Sequence, residues 1–133
     1  MKYTSTNVTD SQIPEISALV VNNDALISLD LDDVKSIMSG HEGVLYEGSQ
    51  DENENHEEFM KSFFKELSSI QNVTKCHSIL MFIKCSEKEG LMMDEMNIIH
   101  DFMEVLPENS EAKWGMSVVK DDSPMKIVVV VTV

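Results

Sequence analysis

Five consecutive apolar residues, Ile79 to Ile83, lie inside a segment bounded by Cys76 and Cys85. Neighbouring side chains of a strand point to opposite faces of its sheet. A strand that is apolar at every position must therefore be covered on both faces. The segment is predicted to be such a strand, and the rest of the chain has to supply its cover.

Helical spacing provides it. Apolar residues at 13, 16, 19 and 20 predict a short helix over Ile13–Val21, with Pro14 suited to its first turn. Asp30 is a good helix N-cap, and Asp33 stands three positions on, in the capping-box place. Leu31, Val34, Ile37 and Met38 form the expected buried stripe of that helix, and Gly40 closes it. A helix from about Glu54 to Ile70 buries Phe59, Phe63, Phe64, Leu67 and Ile70. Another, from Met92 to Leu106, packs Met92, Met96, Ile99, Met103 and Leu106, while Met60 and Met93 are expected at the surface. Strands are predicted at Gly43–Gly48, Ala112–Val119 and Met125–Val133, the last two joined as a hairpin through 120–124 with Trp114 on an inner strand. The order is α/β and predicts a mixed four-stranded sheet flanked by helices. Residues 1–22 read as a loose leader and a short helix, and 23–133 as one domain.

Charge narrows the partners. With 24 acids against 10 bases the net charge is −14. Nucleic acid and anionic membrane surfaces, which are bound through Lys and Arg, are not expected as partners. The start of the chain has no signal-peptide pattern, so a cytoplasmic location is expected. Cys76 and Cys85, nine residues apart in one predicted strand, should face opposite ways and stay reduced. His41, His56, His77 and His100 show no metal-ligand spacing, and the acidic loop from Asp51 to Glu58 does not match a calcium loop. Neither a metal nor a cofactor is expected.

The stretch Leu26-Ile27-Ser28-Leu29-Asp30-Leu31-Asp32-Asp33-Val34, running on to Ile37-Met38, is similar to a segment of the bacterial tubulin-like division protein FtsZ. There it joins the central helix to the C-terminal domain, in the pattern Leu-Ile/Met-Asn-x-Asp-Phe/Leu-Ala-Asp-Val. Asp30, Asp33 and Val34 match; Ser28 replaces the Asn, and Asp32 replaces a small residue. Trp114-Gly115-Met116 resembles a family Phe-Gly-Ala, and Ile127 to Val133 its last strand. The resemblance runs from about Ile16 to Val133 and implies a freestanding copy of the FtsZ C-terminal domain. The Gly-rich loop that cradles phosphates in the family's GTPase domain has no counterpart here. The five glycines, at 40, 43, 48, 90 and 115, are never adjacent.

In FtsZ the matched loop enters the nucleotide pocket of the next filament subunit, where its acids position the attacking water. The resemblance thus implies Ser28, Asp30 and Asp33 as partner-binding residues, with no catalytic residue of the chain's own. The expected function is a non-catalytic interaction module that binds or caps FtsZ-type filaments in cell division. The alternative is a repurposed domain that self-associates or binds another protein, unrelated to filaments.

Overall fold

The apolar run at 79–83 is buried on both sides. In the computed structural model it forms the middle of a strand, Ser78–Ser86, with Ile79, Met81 and Ile83 in one core and Leu80 and Phe82 in a second. The structure describes residues 2–21, 27–86, 93–120 and 123–132. In chain order these give β1 (Lys2–Val8), a 3-10 turn (Asp10–Gln12), α1 (Ile13–Val20), α2 (Leu31–Met38) and β2 (Gly43–Ser49). They continue with α3 (His56–Ser68), α4 (Gln71–Thr74), β3 (Ser78–Ser86), α5 (Met93–Glu104), β4 (Glu111–Val119) and β5 (Lys126–Thr132). The strands form one mixed sheet in the order β1-β2-β5-β3-β4. Only β3 and β4 run parallel, joined through α5.

Two cores sit on the two faces of this sheet. Helices α1 and α2 contribute Ile16, Val20, Val34, Ile37 and Met38 to one, packed against Leu80, Phe82, Val128 and Val130. Helices α3 and α5 contribute Phe59, Phe63, Phe64, Leu67, Ile99 and Phe102 to the other, against Ile79, Met81, Ile83, Ile127, Val129 and Val131. Inside this second core His56 Nδ1 and Glu95 Oε1, both on buried side chains, stand 3.9 Å apart and link α3 to α5.

Several sequence expectations are corrected. The sheet has five strands, not four, because Lys2–Val8 is no loose leader: it pairs antiparallel with β2 along its whole length. Its Tyr3 stacks on Tyr46 and its Val8 is buried, which anchors one residue to each core. The terminal hairpin does not form, because β3 lies between β4 and β5. The physical reason is polarity. β5 is buried from Ile127 to Thr132 and takes the centre, whereas β4, with Glu111 and Ala112 exposed, takes the edge. Trp114 is accordingly half-buried on an outer strand. Leu31 is 44% exposed rather than part of the buried stripe, Met60 is fully buried, and Met96 and Met103 only flank the core. The Met92 expectation and the side chain of Met93 lie outside the described residues.

Cys76 precedes β3 instead of lying in it, and both cysteines enter the same core, unbridged. The rise from Ser78 to Cys85 is roughly 23 Å at about 3.3 Å per residue, far beyond the roughly 7 Å between Cα atoms that a disulfide tolerates. Burial pushes both thiols above their ordinary range, and Glu95 adds to this at Cys85.

Candidate interaction site at the start of α2

The approach to α2 is laid along the outer edge of β4. Ile27 N–H donates to the Met116 carbonyl at 3.2 Å, and Met116 N–H donates back to the Ile27 carbonyl at 2.9 Å. Gly115 makes this approach possible. A Cβ there would stand 2.7 Å from the Ile27 carbonyl oxygen and 2.9 Å from Leu29 Cγ, inside van der Waals contact. Leu29 is then buried in the core beneath α1 and α2. One residue later the chain leaves the sheet edge and α2 begins.

Asp30 is the N-cap, in extended conformation. Its Oδ1 accepts the Asp33 N–H at 2.9 Å, and Asp33 Oδ2 accepts the Asp30 N–H at 2.9 Å. This reciprocal box satisfies two of the donors that a helix start leaves over. From β4, Lys113 Nζ donates to Asp33 Oδ1 at 3.0 Å. The Asp30 N–H, and next the Lys113 ammonium, hold the Asp33 carboxyl below the usual carboxylate range. In return Asp33 raises the Lys113 ammonium. One turn on, Ser36 Oγ donates to Glu111 Oε1 at 2.7 Å, a second tie between α2 and β4.

The three residues singled out from the sequence thus fall in one loop with different standing. Both oxygens of Asp33 are engaged within the chain. Asp30 uses only Oδ1 among the described residues, and its side chain is exposed. Ser28 is exposed, as are Leu31 and Asp32. The site therefore presents Ser28, Asp30, Leu31 and Asp32 outward, with Asp33 as the residue that sets the loop's shape. Lys113, Gly115 and the exposure of Leu31 were not identified from the sequence. Gly115 was legible only as part of a motif; nothing local marks Lys113, which lies 80 positions from Asp33.

Among the described residues one trio, His100, Asp101 and Glu104, brings its ligand atoms within 4.8 Å of one another. All three are exposed on α5, and the His100–Glu104 approach of 3.6 Å is an ordinary pair one helical turn apart. No helix among the described residues is long and apolar enough to cross a membrane.

No family model matches the chain, and no curated protein matches it. Solved structures do. An empty FtsZ dimer structure from M. jannaschii superposes with a TM-score of 0.61 at 20% identity, over 84% of this chain and 33% of that one. The fold is that of the FtsZ C-terminal domain. A tryptophan-to-tyrosine variant of M. jannaschii FtsZ gives a TM-score of 0.60 at 17% identity, over 92% of this chain and 39% of that one. CetZ from Methanosaeta thermophila gives 0.56 at 19% identity, over 77% and 30%. The chain spans about a third of the length of the FtsZ structures it matches. At this identity the likeness is one of fold, and it agrees with the α/β class read from the sequence.

Proposed function

We propose that this domain is a non-catalytic interaction module that docks on an FtsZ-type partner through the loop at the start of α2. One observation carries the reading: Ser28, Asp30, Leu31 and Asp32 are displayed outward on a loop fixed from behind by the Ile27–Met116 bridge, buried Leu29 and the Asp33–Lys113 pair. Such a preorganised loop loses little freedom when a partner closes on it. Asp30 keeps a carboxylate oxygen for a partner's donor or for a cation held by that partner's nucleotide. Within these 133 residues no Gly-rich loop offers a nucleotide face to a following subunit. A docked subunit that lacks such a face would cap a filament end, and a role in cell division in the cytoplasm is part of this proposal.

A second reading, a self-associating or protein-binding domain unrelated to filaments, is favoured by one feature. Lys113 already neutralises Asp33, so part of the acidic loop is spoken for inside the chain. Light scattering and phosphate release from the FtsZ of the same organism separate the two. Substoichiometric protein should lower the scattering by shortening filaments, with a dependence on Mg²⁺ and nucleotide state. Unchanged scattering and phosphate release at equimolar ratio would reject capping and leave the second reading.

A further inference from the structure

β1 is the other outer strand of the sheet, and among the described residues no backbone hydrogen bond reaches its outer edge. Natural edge strands are blunted by charge, by Pro, by a bulge or by a covering segment. From Tyr3 to Val8 there is neither a charged residue nor a Pro. The one-to-one register with β2, from Lys2↔Ser49 to Val8↔Gly43, leaves no room for a bulge. Thr4, Ser5, Thr6 and Asn7 are all exposed. In a chain with a net charge of −14, this neutral stretch is where a second copy can approach with little repulsion.

We infer that the outer edge of β1 is a self-pairing surface, on which a second copy adds its own β1 antiparallel and the two sheets become continuous. Identical edges meet this way about a two-fold axis, so one surface serves both copies and the assembly closes as a dimer. Thr4 and Thr6 share one face of the strand, and Ser5 and Asn7 share the other. Across the joint, hydroxyl and amide groups then face one another, and no like charges are opposed. A foreign peptide is the poorer occupant. Peptide recognition at a sheet edge uses pockets for alternate side chains, and the exposed groups of β1 are short and polar. An apolar groove of the described surface, lined by Phe64, Ile98, Phe102 and Val105, contains no β1 residue. This surface stands apart from the loop before α2, so the inference does not rest on the docking function.

Sedimentation velocity on the whole chain, over a dilution series from about 1 mM to about 1 µM, is the test. A joint confined to one strand pair is small, so the wild type should shift from dimer to monomer within that range. The double variant Thr4→Glu/Thr6→Glu places like charges opposite one another in every register in which residue 4 or 6 faces itself or the other, as when the joint centres on Ser5, and should weaken dimerisation by roughly tenfold or more. Leu31→Glu, at the other edge of the sheet, should dimerise like the wild type. Circular dichroism of each monomer checks that the fold is kept. A wild type that stays monomeric throughout overturns the inference. So does a dimer that survives Thr4→Glu/Thr6→Glu, or one lost in Leu31→Glu.

Discussion

At the β4 edge of the sheet the unpaired backbone is met by a segment of the same chain; at the β1 edge it is met by none of the described residues. The covering segment at β4 is also the one that carries the exposed start of α2. Protection of an edge and display of a loop are thus one construction, made possible by Gly115 and fastened by Lys113 and Ser36. β1 has the opposite character: uncharged from Tyr3 to Val8, regular in register and uncovered among the described residues. An edge strand is a liability only while it has no partner, and the difference suggests that the two edges serve different contacts.

The sharpest way to break the covered edge is Gly115→Val. A side chain at 115 collides with the Ile27 carbonyl and the buried Leu29 side chain, so the segment must lift or the strand must shift. Urea denaturation should show a loss of about 1–3 kcal/mol. Asp30→Ala comes next. It removes the N-cap oxygen that accepts the Asp33 N–H, and should cost about 1 kcal/mol. Unchanged stability in either variant would mean that the Ile27–Asp33 segment is not seated on β4 as described.

Asp33→Ala is milder, at about 0.3–1 kcal/mol for a first-turn acid, and it carries a pH signature. Because the folded carboxyl is held below its ordinary range, its contribution is fully present above that range. It fades as pH falls through the folded value. The stability gap between wild type and Asp33→Ala should be constant from about pH 5 up to the ordinary lysine range and shrink below about pH 4. Lys113, raised by the same pair, behaves oppositely: its contribution is lost as pH rises through its folded value. A gap that does not change with pH would deny the Asp33–Lys113 pair a role in fixing the loop. Smallest of all is the open edge. Thr4→Glu/Thr6→Glu should cost the monomer only about 0.2–1 kcal/mol, because both side chains are exposed and the one new like-charge pair within the monomer is residue 4 with Glu47 on β2.

What could be read in advance was local. The box at Asp30 and Asp33 was legible because both partners lie within one helical turn. The apolar run at 79–83 was legible because it needs cover on both faces whatever supplies it. β1 was not, since Tyr3 to Val8 shows no apolar alternation and its partner strand begins 35 positions after it ends, at Gly43. The order of the last strands was missed because a turn-rich connection reads equally well as a hairpin or as a step over one strand. Of the site, the acids were visible, but the Lys113 tie and the Ile27–Met116 bridge join residues 80 or more positions apart. Only the fold brings these together.

The docking proposal and the contrast between the edges meet in one co-sedimentation experiment with polymerised FtsZ from the same organism. Leu31→Glu alters the displayed loop at a helix first turn that tolerates acids, while Thr4→Glu/Thr6→Glu alters only the open edge. The expected result is that wild type and Thr4→Glu/Thr6→Glu pellet with the polymer, while Leu31→Glu stays in the supernatant. Wild type that remains in the supernatant, or binding lost with Thr4→Glu/Thr6→Glu and kept with Leu31→Glu, would contradict docking through the start of α2.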